Sequence, residues 1–196
     1  MTKAELRKIY LARQKSLLFD ERIEKSRAIS SQFFQTFDLS KIKFLHCFLP
    51  IKKFGEIDTG FIFERLWRDF PHVETVVPQV DFQSLEINSL IYQRETELTE
   101  NIWNIDEPLH DESVETAKID IILVPLLCFD ASGLRVGYGK GFYDRFLKDC
   151  REDCLKIGLS YFAPVEKITD ANELDVKLDF CVSPSEVFEL EEQQSK

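Results

Sequence analysis

The sequence predicts an α/β fold: a single-domain, three-layer α/β/α arrangement with a mostly parallel central sheet and helices on both faces. Two amphipathic helices open the chain, and short apolar strands then alternate with helices. Residues 119–127 form the most apolar stretch, which is typical of a strand buried on both faces of a parallel sheet. At 196 residues, the chain (1–196) has the size of one domain.

The helices are predicted from apolar spacing and from capping residues. Residues 2–18 place apolar side chains at broadly helical intervals among Lys and Arg, and Asp20 is positioned to cap a second helix. Thr59 is positioned to cap a third helix that ends near Phe70. Residues 142–148 predict a fourth helix between two strands, in the order of a βαβ unit.

Short apolar runs predict the strands, at residues 42–49, 73–77, 85–92, 119–127, 156–160 and 180–183. Pro50 and Pro78 are expected to stop the first two. The polar residues 93–118 predict an irregular surface excursion. The acidic segment from about residue 186 predicts a mobile tail.

The charge of the chain restricts its partners. A formal net charge of −10 repels a nucleic-acid backbone or an anionic membrane unless a local basic patch outweighs it. We therefore expect neither a nucleic-acid nor a membrane partner. A phosphate ligand is compatible with this charge, because a few cations and backbone amides at one site dominate the local field.

The cysteines and the first residues predict a cytoplasmic protein. The five cysteines are an odd number, and three lie in apolar runs, which is typical of reduced core thiols. Cys150 and Cys154, one helical turn apart, have a spacing that suits metal ligation, but neither a second pair nor a nearby histidine accompanies them. The start of the chain is charged, and no apolar run reaches membrane-spanning length.

A glycine-rich segment follows the most apolar strand and reads Arg135-Val136-Gly137-Tyr138-Gly139-Lys140-Gly141-Phe142-Tyr143-Asp144. Glycines permit positive φ and close approach, so successive amides can converge on an anion. Arg135 and Lys140 supply charge-assisted donors for phosphate oxygens. Asp144 carries the hard oxygen that Mg²⁺ prefers. The alternatives are a surface turn, and an Asp144 that caps or pairs on the helix surface.

The spacing of this segment differs from that of the better-known phosphate loops. A Walker loop has Ser or Thr after Gly-Lys, whereas Gly141 follows Lys140. A dinucleotide fingerprint has two residues between its second and third glycines, whereas one residue separates Gly139 from Gly141. Nucleotide binding in either of those modes is therefore disfavoured.

Several motifs resemble one known family. The pair Val124-Pro125, the turn at Asp130 and the run 135–144 resemble the signature of 5-formyltetrahydrofolate cyclo-ligases, also called 5,10-methenyltetrahydrofolate synthetases. Residues 3–7 (Lys-Ala-Glu-Leu-Arg) resemble the family's opening Lys-x-x-x-Arg. Residues 55–59 (Gly-Glu-Ile-Asp-Thr) resemble its folate-site segment.

A fourth motif near the end of the chain resembles the family with one departure. Residues 172–176 (Asn-Glu-Leu-Asp-Val) resemble the segment that carries an Asp before a short strand. Many members place His where this chain has Leu174, so a role for a histidine there is absent, whereas Asp175 is kept. The resemblance spans nearly the whole chain, although residues 93–118 match none of its motifs.

The resemblance implies a role for each matching residue. Arg135 and Lys140 would stabilise charge in catalysis, and Asp144 and Asp175 would hold Mg²⁺. ATP would be bound by Lys3, Arg7, Arg135, Gly137, Gly139, Lys140, Gly141, Phe142 and Tyr143. The folate would be bound by Ile51, Glu56, Tyr138, Gly139, Lys140, Gly141 and Phe142.

Residue chemistry agrees with these roles but leaves alternatives open. Lys3 and Arg7 are one helical turn apart, so both can reach one triphosphate, and their alternative is a solvated helix face. The Glu56 carboxylate matches the adjacent donors of a pterin, and its alternatives are a surface charge and an acidic residue at a helix N-terminus. Flat side chains suited to stacking on a pterin are Phe54, Phe142, Tyr143 and Tyr161. The histidines His46, His72 and His110 are interpreted as structural or exposed.

The resemblance implies ATP- and Mg²⁺-dependent cyclisation of 5-formyltetrahydrofolate to 5,10-methenyltetrahydrofolate, with release of ADP and phosphate, through a phosphorylated formyl intermediate. Two alternatives stay open: another ATP-dependent ligase or kinase on the same fold, and a non-catalytic folate- or nucleotide-binding module. The expected partners are these small molecules, and the expected state is a monomer or a weak homo-oligomer.

Overall fold

A large mixed sheet forms the centre of the computed structural model, which describes residues 1–101 and 105–190. Its strands are β1 (Phe44–Cys47), β2 (Glu74–Asp81), β3 (Glu86–Ile91), β6 (Ser113–Val114), β7 (Ile121–Pro125), β10 (Leu155–Leu159), β11 (Phe180–Val182) and β12 (Val187–Glu189). Two small antiparallel pairs lie outside it: β4 (Leu98–Glu100) with β5 (Asp106–Pro108), and β8 (Cys128–Phe129) with β9 (Arg135–Val136).

The eight strands of the main sheet follow the order β12-β11-β10-β7-β1-β2-β3-β6. The central strands β11, β10, β7, β1 and β2 run parallel, and β12, β3 and β6 add antiparallel pairs at the two sides. Strand β7 pairs with both β1 and β10 and is buried from Ile121 to Val124. The mostly parallel α/β sheet with this run at its centre is as predicted.

Helices cover both faces of the sheet. They are α1 (Lys3–Ser16), α2 (Phe19–Thr36), α3 (Gly60–Asp69) and α4 (Phe142–Lys148). Helices α2 and α3 bury Phe33 and Phe63 against one face, in a core that includes Leu123 of β7. Helix α4 buries Phe146 against the other face, in a core that includes Ile122. Alternate side chains of one strand thus reach opposite cores, because strand side chains alternate between faces.

Helix α1 packs outside these two cores. Its start carries a capping box, in which Thr2 and Glu5 satisfy each other's backbone donors. Leu6 packs with Cys128 and Val136 of the β8–β9 pair. Helix α1 therefore lies beside the glycine-rich segment, which begins with β9.

One predicted helix cap is wrong, and the other has the predicted position without the capping hydrogen bond. Helix α2 begins after Leu18, and Asp20 lies within its first turn. A carboxylate there interacts favourably with the helix dipole but does not cap the helix. Thr59 precedes α3 as predicted, but its hydroxyl donates to the carbonyl oxygen of Phe48 at 2.7 Å. The hydroxyl therefore ties the start of α3 to the end of β1.

The predicted stop of β2 at Pro78 is also wrong, because the strand continues to Asp81. The parallel pairing with β1 ends at Val76, and Pro78 pairs only with Ser89 of β3. A proline lacks the backbone donor for a second neighbour, so it is tolerated where a strand has a partner on one side only.

Two segments contain more regular structure than the sequence predicts. Residues 93–118 contain the β4–β5 pair, and β6 joins the main sheet beside β3. In the predicted acidic tail, β12 pairs with β11, and Phe188 packs into the core. The apolar side chains at 187 and 188 explain this pairing, whereas residues 191–196 lie outside the described part of the chain.

The five cysteines are free thiols, as predicted for reduced side chains. Four of them, Cys47, Cys128, Cys154 and Cys181, are buried. Among the helices of the described residues, none has the length and apolarity needed to cross a membrane.

We predict that Phe33→Ala lowers the free energy of unfolding by about 3–5 kcal/mol, because it opens a cavity where α2 packs on the sheet. Phe33 has 0 % of its surface exposed. The matched control is Phe19→Ala, since Phe19 lies on the same helix with 68 % of its surface exposed. Urea unfolding of both variants measures the difference, and equal losses would contradict the described packing of α2.

Candidate active site

A cavity of about 650 Å³ opens at the carboxyl ends of the parallel strands. Phe48 and Ile51, which follow β1, and Pro125, which ends β7, line it. From β1 the chain proceeds to β2 on one side of the sheet and later returns to β7 on the other. The cavity therefore lies at the point where strand order reverses, which is where open α/β sheets bind ligands.

The structure brings every residue to which the resemblance assigns a role to this cavity. Its lining includes Lys3, Arg7, Ile51, Glu56, Arg135, Gly137, Tyr138, Gly139, Lys140, Gly141, Phe142, Tyr143, Asp144 and Asp175. They come from helix α1, from the loop after β1, from the stretch that runs from β9 into the first turn of α4, and from the segment before β11. Their convergence supports one site, while the role of each residue stays a prediction.

The glycine-rich segment packs against Arg7 of helix α1. The Arg7 Nε donates to the carbonyl oxygen of Gly137 at 2.9 Å. Gly139 has a φ of 91°, which L side chains rarely adopt, and a Cβ there would lie 3.0 Å from the Arg7 guanidinium carbon. Glycine is thus required at position 139 both by the backbone and by the neighbouring cation. The side chain of Lys140 is exposed at the cavity.

The two carboxylates predicted to hold a metal each form an ion pair with a cation predicted to hold ATP. The Arg135 guanidinium lies 2.7 Å from Asp144, with 5 % of the arginine side chain exposed. Arg135 also donates to the carbonyl oxygen of Val176. Lys3 Nζ lies 2.5 Å from Asp175, and both side chains are largely buried. The positive charges of Lys3 and Arg135 are therefore balanced within the protein.

The carboxylates differ in what they still offer to a metal ion. Over residues 1–101 and 105–190, no group of three or more His, Cys, Asp or Glu is arranged as a metal site. Magnesium in phosphate sites commonly takes one or two carboxylates plus phosphate oxygens and water. In Asp144, Oδ1 accepts the bonds from Arg135 and Val176, which leaves Oδ2 for a cation. Both oxygens of Asp175 accept from Lys3.

Glu56 is held in the cavity by its neighbours. The backbone nitrogen of Ile51 donates to Glu56 Oε2 at 2.6 Å, and the Tyr138 hydroxyl also bonds the carboxylate. Removal from water raises the pKa of Glu56 to about 7, and these two hydrogen bonds oppose that rise. The backbone oxygen of Glu56 accepts from the Tyr161 hydroxyl at 3.0 Å.

Of the aromatic side chains predicted to stack on a pterin, some line the cavity and one lies behind its wall. Phe54 stacks on Tyr138 with ring centroids 4.9 Å apart, and both line the cavity with Phe142. Tyr161 is 4 % exposed and does not line the cavity, so its predicted stacking on a ligand is wrong. Its hydroxyl bonds the backbone oxygen of Glu56 and lies 3.3 Å from the hydroxyl of Ser26 on α2, so Tyr161 supports the Glu56 loop.

His46 and His72, interpreted from the sequence as structural or exposed, have hydrogen-bond partners within the protein. His46 is fully buried, bonds the hydroxyl of Ser89 at 3.0 Å, and contacts the hydroxyl of Tyr143 at 3.5 Å. Burial lowers the pKa of His46 to about 3, so the ring is neutral at physiological pH. His72 bonds the carbonyl oxygen of Leu39 at 3.1 Å.

Sequence reasoning missed Gln14, which is 3 % exposed and bonds both Phe54 and Tyr138. A signal was available: Lys3, Arg7 and Gln14 are spaced by four and seven residues and therefore share one face of α1. It also missed Phe82 and Ile87, which line the cavity from the β2–β3 hairpin. These two lie in an ordinary apolar pattern that carries no sign of a ligand.

Fold and site together define an α/β enzyme whose small-molecule cavity joins cations, a glycine-rich segment and a partly desolvated carboxylate. The chain matches the model of the 5-formyltetrahydrofolate cyclo-ligase family over residues 1–185. It therefore belongs to that family. This result confirms the resemblance in the sequence and makes the chain a ligase.

Individual relatives agree with the family match. The 5-formyltetrahydrofolate cyclo-ligase of Escherichia coli (strain K12) is 32 % identical over 138 residues, which are 69 % of this chain and 75 % of the relative. The NMR structure of Aquifex aeolicus 5,10-methenyltetrahydrofolate synthetase has a TM-score of 0.83 and 31 % identity, covering 100 % of this chain and 96 % of that one.

A second solved structure, 5,10-methenyltetrahydrofolate synthetase from Mycoplasma pneumoniae, has a TM-score of 0.74 and 27 % identity. The match covers 94 % of this chain and 99 % of that one. The shared architecture thus extends along nearly the whole length of both chains.

The raised pKa of Glu56 predicts a specific dependence of stability on pH. The folded protein keeps the Glu56 proton up to about pH 7, whereas an ordinary glutamate, with a pKa of 4.5, loses it earlier. Stability contributed by protonated Glu56 is therefore complete below pH 4.5 and is lost as the pH rises to 7. We expect Glu56→Gln to gain on the order of 2–3 kcal/mol over the unmodified protein between pH 4.5 and 8.

Urea unfolding at a series of pH values measures this difference. The matched control is Glu24→Gln, because Glu24 is an exposed residue of α2. Its unfolding free energy should follow that of the unmodified protein at every pH. Parallel pH profiles for Glu56→Gln and the unmodified protein would contradict a desolvated Glu56.

Proposed function

We propose that this chain closes 5-formyltetrahydrofolate to 5,10-methenyltetrahydrofolate with ATP and Mg²⁺, and releases ADP and phosphate. The cyclisation is the reaction of the family to which the chain belongs. The observation that carries the proposal is the convergence of four cations with Glu56 in one cavity: Lys3, Arg7, Arg135 and Lys140. The cations suit the anionic phosphates of ATP, and the carboxylate of Glu56 suits the donor edge of a pterin.

The cations and the glycine-rich segment would bind ATP. Lys3 and Arg7 lie one turn apart on α1 and both line the cavity, so they can contact one triphosphate. Gly137, Gly139 and Gly141 leave backbone amides open to close approach by phosphate oxygens. Arg135, Lys140, Phe142 and Tyr143 complete this set.

The residues around Glu56 would bind the folate. The adjacent N–H donors of a pterin match the two oxygens of a carboxylate. Such donors favour the ionised form of Glu56, whose pKa of about 7 lets it titrate near neutral pH. Ile51, Tyr138 and Phe142 line the same cavity and offer apolar and aromatic contact to a flat ring.

The reaction proceeds in two displacements. The formyl oxygen attacks the γ-phosphorus of ATP, the bond to the bridging oxygen breaks, and ADP leaves. N10 then attacks the activated formyl carbon and loses its proton, and phosphate departs with the former formyl oxygen. In phosphoryl transfer the protein mainly positions the reactants and stabilises charge, so Arg135 and Lys140 would act as electrostatic catalysts.

Asp144 and Asp175 are the residues that would hold Mg²⁺. Asp144 bonds Arg135 through Oδ1, which leaves Oδ2 for the metal, whereas Asp175 would exchange Lys3 for the metal. Bound Mg²⁺ supplies positive charge that neutralises phosphate oxygens. The cytoplasmic location and the monomeric or weakly oligomeric state remain predictions.

We predict that the pure protein forms methenyltetrahydrofolate only when 5-formyltetrahydrofolate, ATP and Mg²⁺ are all present. The absorbance of the methenyl product follows the reaction, and ADP is assayed in parallel. Omission of ATP, or chelation of Mg²⁺, should abolish product formation. Absence of turnover with all three present would reject the proposal. ATP hydrolysis driven by another substrate would favour a different ligase on this fold, and binding without turnover would favour a binding module.

We predict that Lys140→Ala lowers kcat/KM by roughly ten- to a hundredfold, because a charge-assisted hydrogen bond contributes about 1.5–3 kcal/mol. Lys140 is exposed, so the melting temperature should stay unchanged. Lys148→Ala is the matched control, because Lys148 is an exposed lysine at the end of α4 and does not line the cavity. Equal activity of the two variants would remove Lys140 from the reaction.

A further inference from the structure

The buried side chain of Gln14 connects two cavity loops. Its Nε2 lies 3.0 Å from the carbonyl oxygen of Phe54 and 3.1 Å from the hydroxyl of Tyr138. A carbonyl oxygen only accepts hydrogen bonds, so the amide nitrogen of Gln14 must face Phe54. That nitrogen has two hydrogens, and the second one is directed to the oxygen of Tyr138.

This geometry gives the Tyr138 hydroxyl a direction. Its oxygen accepts from Gln14, so its single hydrogen serves a different partner. That partner is the carboxylate of Glu56, with which Tyr138 shares a side-chain hydrogen bond. The chain of donors therefore runs from Gln14 through Tyr138 to Glu56.

The second donor to Glu56 is the backbone nitrogen of Ile51, which bonds Oε2. Two hydrogen-bond donors from the protein favour the ionised form of Glu56. The remaining lone pairs of this carboxylate can then accept hydrogen bonds from a ligand. A ligand that meets Glu56 in the cavity would then encounter an acceptor, in an orientation held by hydrogen bonds on two sides.

We propose that Gln14 is a positioning residue for the folate part of the site, acting through Tyr138 on Glu56. The inference rests on the proposed function, in which Glu56 binds the donor edge of the pterin. Gln14 need not contact the substrate. It fixes which way the Tyr138 hydroxyl donates, and so it determines the hydrogen-bonding character that Glu56 presents.

Calorimetric binding of 5-formyltetrahydrofolate and, separately, of ATP tests this inference on Gln14→Leu, Tyr138→Phe and the double variant. Gln14→Leu removes both donors at similar volume, and Tyr138→Phe removes the relay while keeping the stack on Phe54. We expect each single variant to weaken folate binding roughly tenfold, the effect of one hydrogen bond to a charged group. ATP affinity should change less than twofold.

The double variant separates positioning from a structural role. If Gln14 acts through Tyr138, the double variant binds folate as weakly as Tyr138→Phe alone, because the relay is already broken. A merely structural role, such as support of the Phe54 loop, would give additive losses and would overturn the inference. Gln32→Leu, a control at a partly exposed glutamine that bonds Ser185, should bind both ligands normally.

Other outcomes are also decisive. Full folate affinity in Gln14→Leu overturns the inference and leaves the proposed function intact. Equal weakening of folate and ATP binding overturns it as well, since that result indicates a general disturbance of the cavity. Failure of the unmodified protein to bind 5-formyltetrahydrofolate would overturn the proposed function itself. If Gln14→Leu lowers the melting temperature, Tyr138→Phe tests the relay instead, because that variant keeps the packing of α1.

Discussion

The parallel pairing of β1 with β7 is the constraint on which the rest of the site depends. Leu45, His46 and Cys47 pair with Ile121, Ile122 and Leu123 in the centre of the sheet. Because the two strands end side by side while their connections lead to opposite sides, a cavity opens between the segments that follow them. Helix α1 then supplies Lys3 and Arg7 to its wall, and the glycine-rich segment supplies Arg135 and Lys140.

The parts of the fold that depend on strong local patterns were predictable from sequence. Residues 121–125 form a central strand because an apolar run of that length is stable only where both faces are covered. The helix at 142–148 was predicted with the bounds found in the structure. Weak patterns gave errors: β12 has only three residues, and Phe188 packs against core residues that are mostly distant from it in the sequence.

The candidate site was predictable where a residue type itself carries the chemistry, as for the glycines at 137, 139 and 141. The ion pair of Lys3 with Asp175 was not, because the two residues are 172 positions apart in the sequence. Gln14 was missed for a similar reason: an amide on a charged helix face has no signature until its partners are known. Long-range contacts thus determine which polar residues become functional.

The sheet ends on both sides in very short strands. On one side β6 has two residues, and on the other β12 has three. A sheet edge can template the addition of a strand from another molecule only in proportion to its row of unpaired backbone groups. Edges this short offer few such groups, and acidic side chains at Glu112, Glu115, Glu186 and Glu189 flank them with like charge. Growth of the sheet from one copy of the chain to the next is therefore disfavoured, which protects a protein with a large apolar core from edge-to-edge aggregation.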